Sequence, residues 1–316
     1  MPADEEKPIV NRETARIVVG YDGSVPANAA LDWAATEAER RGLPLTVLHV
    51  LNQLNLTPGV GTPTWTALAT DAMDAVASDG VQRARKSAPS IDIRGVTHAD
   101  PVAFTLIEST RDSALLVVGT RGRGEAAGAL LGSVAFAVSG HASCPVVIVR
   151  GDADEPVGPV SPVVVGVDGS SGSEVAVRYA AGFAAAASAA LIVVAAYRSA
   201  GSRAWGAAEV YTLEGEGGPT FGSLAQEHAG ETVAAAGALA RTAQPGLEVR
   251  ELVVEGSTAE SLVAAAAAAG CGLLVVGSRG RGGFAGLMLG SVSHRVIHSA
   301  PCPVVVVRAG GVEAGA

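Results

Sequence analysis

The sequence has few cysteines, fewer basic than acidic residues and no long uninterrupted apolar segment. Its three cysteines, Cys144, Cys271 and Cys302, are odd in number and lack CxxC spacing, which argues against a disulfide framework and a zinc site. We expect them to be free, buried thiols in a reducing cytosol. With 22 Lys and Arg against 31 Asp and Glu, the net charge of −9 argues against a general nucleic-acid or anionic-membrane binder.

Targeting signals and common catalytic motifs are also missing. No segment has the length and continuity to cross a bilayer, and the polar N-terminal residues lack the apolar core of a signal peptide, so we expect a soluble cytoplasmic protein. There is no GxxxxGK[ST], HExxH or GxSxG motif. His294 and His298 lie one helical turn apart, but we interpret them as partly exposed residues of a short helix, and we predict no metal site formed by the protein alone.

What the sequence does contain is a long internal repeat. Three motifs recur in the same order: RIVVGYDGS (16–24) as PVVVGVDGS (162–170), LLVVGTRGRG (115–124) as LLVVGSRGRG (273–282), and HASCPVVIVR (141–150) as HSAPCPVVVVR (298–308). The second copy is longer, and we place its extra residues in the glycine-rich segment 201–219.

The repeat predicts two domains. We place them at 15–150 and 162–308, joined by a linker at 151–161 that is rich in Pro, Gly and acidic residues. We expect a disordered N-terminal tail at 1–14 and a C-terminal tail at 309–316.

Each half alternates apolar strands with helices. In the first half the pattern predicts strands at 17–21, 45–50, 91–96, 115–119 and 145–150, and helices at 26–41, 66–87, 101–109 and 133–141. Ser24 is expected to cap the first helix and Gly42 to end it. Continuously apolar strands that alternate with helices indicate a parallel sheet with right-handed crossovers. We therefore predict an α/β protein of two tandem five-stranded, doubly wound, Rossmann-like domains, with a nucleotide crevice at each switch point.

Two polar features follow strands that should be neighbours at this switch point. Asp22-Gly23-Ser24 ends the first strand, and a glycine-rich loop follows the fourth. Gly119 and Gly122 permit positive φ and a close approach of ligand to backbone, and Arg121 adds positive charge. Gly132-Ser133 opens the next helix, whose N-terminus favours phosphate. Because a carboxylate repels phosphates, we expect Asp22 to meet the opposite end of a nucleotide, at the ribose hydroxyls or the adenine amine.

At these residues the sequence resembles the universal stress protein family in its tandem form. The family's nucleotide-binding branch carries G-x-x-G, nine residues and then G-[ST], which matches Gly119–Gly122 to Gly132-Ser133 and Gly277–Gly280 to Gly290-Ser291. The resemblance covers nearly the whole chain outside the tails and linker. It implies an ATP-binding stress-response protein with one adenine-nucleotide site per domain, ATP bound with Mg²⁺, and halves that pair through their last strands.

The resemblance also implies which residues hold the nucleotide. Asp22 and Asp168 would meet the adenosine end, and Val50 and Ala196 would line the adenine pocket. Phosphates and ribose would be held by Gly119, Gly122, Gly132, Ser133 and Val134 in the first half and by Gly277, Gly280, Gly290, Ser291 and Val292 in the second. Gly20, Arg121, Gly166, Arg279 and Ser293 complete the candidate set. Ala135 in place of Ser293, and Glu125 in place of Gly283, count against the first site, whereas the small Ala196 counts slightly against the second.

Other functions stay open at this point. No evident base is placed to activate water, so we favour a binding protein over an enzyme, with at most slow ATP hydrolysis. A slow ATPase, a cyclic-AMP binder and a nucleotide-free dimerisation module are the alternatives, although both glycine loops argue against the last. A homodimer of the whole chain is compatible with the sequence, but we can name no residue that supports it.

Overall fold

Strands and helices alternate along both halves of the chain. The computed structural model describes residues 15–51, 63–122, 131–150, 157–199, 220–281 and 289–309, with the backbone alone for 63–70. The first half contains β1 (Arg16–Gly20), α1 (Val25–Arg41), β2 (Leu45–Val50), α2 (Pro63–Ser87), β3 (Ile93–His98), α3 (Val102–Ser109), β4 (Ser113–Gly119), α4 (Ser133–His141) and β5 (Val146–Val149). The second contains β6 (Val163–Gly166), α5 (Ser171–Ala186), β7 (Leu191–Tyr197), α6 (Phe221–Ala243), β8 (Val249–Glu255), α7 (Thr258–Ala268), β9 (Leu273–Gly277), α8 (Ser291–Ser299) and β10 (Val304–Val307).

The element order confirms the predicted α/β class, and boundaries differ only slightly. β3 begins at Ile93 rather than at 91, because its pairing with β2 starts where Leu45 lies opposite Ile93. The predicted tail at 1–14, most of the tail at 309–316, linker residues 151–156 and the segment 201–219 lie outside the described residues. Among the helices that are described, none has the length and apolarity required to cross a membrane.

The described strands form a single ten-stranded sheet. Its order is β3-β2-β1-β4-β5-β10-β9-β6-β7-β8. Within each half all pairs are parallel, with β1 between β2 and β4, and β6 between β7 and β9. The chain therefore reverses its strand order at β1 and at β6, which are the two switch points that the sequence predicts.

The two halves join through their last strands. β5 and β10 pair antiparallel, with Val147 opposite Val305, as the family resemblance implied. Every residue of both strands is buried. Because this pair is antiparallel, the carboxyl ends of the parallel strands point to one edge of the sheet in the first half and to the opposite edge in the second.

Helices cover both faces of the sheet and build two apolar layers. Ile17 and Val19 of β1 point into the layer beneath α1, α2, α5 and α6. Val18, between them, points into the other layer with Leu106 of α3 and Val138 of α4. This alternation along a strand, with both sides apolar, is what makes the continuous valine and leucine runs fully buried.

Local sequence fixes the ends of α1 as predicted. The Ser24 Oγ accepts a hydrogen bond from the Ala27 N–H at 3.3 Å, which satisfies one free donor at the helix start. Gly42 takes φ 65° at the helix end, a left-handed conformation that glycine adopts without strain. In the second half, Ser170 caps α5 in the same way through the Ser173 N–H at 3.2 Å.

One arginine links the two halves beyond the strand pair. Arg150 follows β5, and its Nη2 donates to the main-chain carbonyl of Ile297 at 3.3 Å and to that of His298, both in α8. These carbonyls lie in the last turn of the helix, where intrahelical donors run out and a positive charge is favourable.

We expect the Arg150→Met variant to lower the free energy of unfolding by about 1–3 kcal/mol, because Met keeps an apolar side chain but leaves the α8 carbonyls without this donor. Urea unfolding followed by circular dichroism measures the change. Arg308, exposed at the matching position after β10, supplies the control: Arg308→Met should cost no more than about 0.5 kcal/mol. Equal losses in the two variants would contradict the proposed role of Arg150.

Candidate functional site

The topology brings the two predicted polar features together in each half. β1 and β4 are paired neighbours, with Val19 opposite Val117, so the turn after β1 and the loop after β4 leave the same edge of the sheet. β6 and β9 are paired in the same way, with Val165 opposite Val275. Each half therefore has one crevice at its switch point, and the two crevices lie at opposite edges of the sheet.

The Asp-Gly-Ser segment forms a tight turn that leads into a helix. The Asp22 Oδ1 accepts from the Ser24 N–H at 3.0 Å, and the Asp168 Oδ1 accepts from the Ser170 N–H at 3.0 Å. The intervening glycines, Gly23 and Gly169, have φ of 76° and 77°. This left-handed conformation explains why glycine follows each aspartate.

The aspartate also holds the glycine-rich loop. In the second half the Asp168 Oδ2 accepts from the backbone N–H of Arg281 at 2.8 Å. In the first half, a Cβ placed on Gly122 would lie 2.7 Å from the Asp22 Oδ2. In the second half the Asp168 carboxylate therefore serves as an acceptor for the loop backbone, and in the first half Asp22 and Gly122 lie side by side. The position of each carboxylate relative to a ligand stays a prediction.

These hydrogen bonds determine the charge state of Asp168. Burial alone would raise its pKa, but donors from the Ser170 hydroxyl, the Arg281 N–H, the Ser170 N–H and the Ser173 hydroxyl favour the carboxylate and hold the pKa below its usual value. Asp168 is therefore ionised at neutral pH and stabilises the turn–loop contact.

The loop glycines are required for close packing rather than for positive φ. Within the described residues, the positive-φ glycines do not include Gly119, Gly122, Gly277 or Gly280, which corrects the sequence-based expectation. A Cβ on Gly119 would lie 2.7 Å from the Pro26 carbonyl oxygen in α1. One on Gly277 would lie 3.2 Å from the backbone of Gly172 in α5. The ends of β4 and β9 thus pack directly on the first turns of α1 and α5, the first helix of each half.

Each loop returns to its own start before the next helix begins. The Gly132 N–H donates to the Thr120 carbonyl at 2.7 Å, and the Gly290 N–H donates to the Ser278 carbonyl at 2.8 Å. These contacts bring the N-termini of α4 and α8 beside the carboxyl ends of β4 and β9. Ser133 and Val134, like Ser291 and Val292, occupy the first turns of those helices. The loop interiors at 123–130 and 282–288, including Glu125 and Gly283, lie outside the described residues.

The predicted difference between the halves at Ser293 has a structural consequence. The Ser293 hydroxyl is buried and donates to the Gly277 carbonyl at 2.6 Å, which ties α8 to the end of β9. Ala135 stands at this position in α4 and is equally buried. Ser293 thus lies at the base of the second crevice and anchors its helix.

The remaining candidate residues lie at the ends of strands. Val50 and Ala196 are half-buried at the ends of β2 and β7. Gly20 faces α3, where an added Cβ would lie 3.2 Å from Leu106, and Gly166 faces α7, where it would lie 2.7 Å from Leu262. The absence of a side chain at these two glycines leaves room for a leucine of the neighbouring helix. The sequence does not reveal this packing role.

The arginines of the loop differ in their surroundings. Arg121 and Arg279 are exposed at the crevice. Arg281, which the candidate set omits, brings its Nη1 to 2.6 Å from the His228 Nε2 on α6. Its backbone also bonds to Asp168, so it joins the loop to α6. The only sequence signal for this residue is its place as the second arginine of SRGRG.

An open cleft of about 420 Å³ lies on the other side of the Asp168 turn, between α5 and α6. Val167, Glu174, Thr232 and Leu239 are among its lining residues. The first half fills the equivalent space with Tyr21, whose ring would lie 2.9 Å from a Cβ on Gly80 and whose hydroxyl donates to the Asn28 Oδ1 at 2.8 Å. This cleft is separate from the crevice that leads to α8.

Two fused parallel α/β units, each with a glycine-rich loop that delivers a helix N-terminus to the switch point, define a doubly wound α/β class of protein, in which ligands bind beyond the carboxyl ends of the strands. The model of the universal stress protein family matches residues 13–150 and 159–308, and the chain belongs to this family.

Individual relatives match either nearly the whole chain or about half of it. A universal stress protein of Mycobacterium tuberculosis is 36% identical over 304 residues, which cover 94% of this chain and 98% of that protein. The crystal structure of a universal stress protein from Archaeoglobus fulgidus aligns with 93% of this chain and 96% of its own, with a TM-score of 0.64 and 20% identity. A shorter universal stress protein, crystallised with cAMP, aligns with 47% of this chain and 97% of its own, with 30% identity and a TM-score of 0.34.

The Asp168→Asn variant tests the turn–loop contact. Because the native pKa of Asp168 is lowered, its ionised form contributes stability above the unfolded-state pKa, and this contribution is lost as the pH falls through the native value. At pH 7 we expect the substitution to cost about 1–2 kcal/mol of unfolding free energy, because the neutral amide is a weaker acceptor for the loop.

Thermal unfolding of both proteins across the acid range gives the measurement. The difference between wild type and variant should shrink as the pH falls below the ordinary Asp value of about 3.9. A difference that stays constant from neutral to strongly acidic pH would argue against the ionised contact.

Proposed function

We propose that this protein binds ATP, with one site in each half. The observation that carries the proposal is the closed loop at each switch point, in which Gly132 and Gly290 bond back to Thr120 and Ser278. This closure sets a helix N-terminus, with the N–H groups of its first turn and its favourable dipole, beside the ends of the two paired strands at the switch point. A phosphate chain is the ligand that such an arrangement suits.

The charges around the crevice agree with this ligand. Arg121 and Arg279 are exposed at the loop and supply positive charge, and Mg²⁺ bound to the phosphates would supply more. The phosphates would lie along the first turn of α4 or α8, near Ser133 and Val134 or near Ser291 and Val292. Adenine would then extend toward Val50 or Ala196 at the end of the neighbouring strand.

We give the aspartates a structural role in addition to the predicted contact with the adenosine end. Asp168 is occupied by the Arg281 N–H and by Ser170, so it fixes the loop that faces the phosphates. Its remaining acceptor capacity is available to a ribose hydroxyl, since each carboxylate oxygen accepts two hydrogen bonds. We assign the same two functions to Asp22.

We infer a regulatory binding protein of the stress response, cytoplasmic and organised as domains 15–150 and 162–308. Nucleotide occupancy would fix the loop and the first turn of the following helix in each half. This role needs tight binding rather than turnover, since the sequence places no evident base to orient an attacking water.

The first test is to identify and count the nucleotide that the purified full-length protein carries. Gentle denaturation, chromatography and mass spectrometry should yield ATP, with one molecule per half when both sites fill. ADP alone would favour the slow ATPase, and displacement by cyclic AMP would favour a cyclic-nucleotide binder. Absence of nucleotide, together with no uptake of ATP and magnesium, would refute the proposal.

The Gly280→Glu variant tests the second site directly. A side chain at 280 meets the Asp168 Oδ2, so a glutamate there both displaces the loop and repels phosphate. We expect ATP affinity in that half to fall by at least about tenfold, with the fold retained because residue 280 is exposed. Gly122→Glu is the matched change in the first half.

Gly230→Glu supplies the control, because a side chain there has nothing within 4 Å and adds the same charge on α6. Titration calorimetry, with circular dichroism to check folding, distinguishes these variants. ATP binding to both loop variants as tight as to the control would contradict the assignment of the loops.

A further inference from the structure

Two of the three cysteines meet in the second half. Cys271 precedes β9 and Cys302 precedes β10, and these strands are parallel neighbours with Leu274 opposite Val304. Both thiols are free and buried. Their Sγ atoms lie 2.9 Å apart in a thiol–thiol hydrogen bond. The two sulfurs are therefore in contact while both are reduced.

We propose that Cys271 and Cys302 are a redox modification site that closes to a reversible disulfide on exposure to a peroxide. One sulfur attacks the peroxide oxygen, becomes a sulfenic acid and releases water when the oxidant is hydrogen peroxide. The other sulfur then attacks the sulfenic sulfur, forms the S–S bond and releases a second water. Two thiols lose two electrons and two protons, and the peroxide is reduced to two waters.

The surroundings of the two cysteines determine how fast they are oxidised. The hydrogen bond shared with Cys271 and burial raise the pKa of Cys302, so its reactive thiolate is scarce at neutral pH. The first step is therefore slow, and the site responds to sustained oxidant rather than to a brief pulse. Once a sulfenic acid forms, the second sulfur is already beside it, which favours the disulfide over further oxidation.

The duplicated half provides an internal comparison. Ser113, the first residue of β4, stands where the second half has Cys271, and Cys144 stands where it has Cys302. Cys144 is buried beside the Pro145 carbonyl at 3.4 Å, and burial raises its pKa to about 12. The equivalent position in the first half thus holds one thiol, and the modification is confined to the second half.

The disulfide would join the two ends of the segment that we propose to bind phosphate in the second half. The chain between Cys271 and Cys302 contains β9, the glycine-rich loop and α8. A cross-link at its two ends restricts this segment in the unfolded state and so stabilises the second half against unfolding.

Thiol counting on the full-length protein tests the proposal. The protein is held in hydrogen peroxide for hours, then denatured and alkylated with N-ethylmaleimide. Alkylated cysteines should fall from three to one, with Cys144 the one that stays labelled. Peptide mapping should show a Cys271–Cys302 cross-link, about 2 Da lighter than the two thiol peptides, which dithiothreitol reverses. Mapping also separates this change from methionine oxidation.

Two variants make the result specific. Cys271→Ser gives the second half the residue of the first, and both of its remaining thiols should stay alkylatable. Cys144→Ser should form the cross-link as the wild type does, and oxidation should raise the melting temperature of this variant and of wild type but not of Cys271→Ser. Three alkylatable thiols in oxidised wild type, sulfinic acid at Cys271 or Cys302, or a cross-link through Cys144 would each overturn the proposal.

Discussion

The antiparallel pairing of β5 with β10 is the contact on which the rest of the architecture depends. Each strand is short, valine-rich and buried, and either half alone would leave it as an exposed apolar edge. Pairing removes both edges and continues the two apolar layers across the join. It also reverses the strand direction, so the two crevices lie at opposite ends of the strands, on opposite sides of the molecule. A ligand in one crevice cannot touch the other, so any coupling must pass through the strands or through contacts such as that of Arg150 with α8.

Within each half, the decisive constraint is the close approach of a strand end to a helix. Gly119 and Gly277 have no side chain because the backbone of α1 or α5 occupies that space. The following loop is then held by an aspartate from the first turn and by its own backbone return to Thr120 or Ser278. The glycines at these positions serve packing, and the placement of the N-termini of α4 and α8 beside the strand ends follows from that packing.

The parts of the structure that the sequence predicts are those with local or periodic causes. Ser24 and Gly42 mark the two ends of α1, because each acts on its own neighbours. The apolar runs predict strands, because a strand buried on both faces has no alternation of polar and apolar residues. The bond from Arg281 to Asp168 joins residues 113 positions apart, and the Cys271–Cys302 contact depends on strand register. Neither follows from composition or spacing. The sequence does not predict the contact of Asp168 with the loop, because that contact depends on a backbone donor rather than on side-chain charge.

The two halves share the sheet and the loop but differ in what supports them. Tyr21 fills the space beside α1 and bonds to Asn28, whereas Val167 leaves a cleft beside α5, where Glu174 takes the place of Asn28. Ser293 and the cysteine pair anchor α8 at its start and beyond its end, whereas α4 has Ala135 and Cys144 with Ser113. The second half therefore has a polar anchor beside its crevice, at Ser293, and a thiol pair at the opposite, amino ends of β9 and β10. The two halves thus share the switch-point geometry, because strand order and the close glycine contacts fix it, while the residues that support the helix after each loop differ between them.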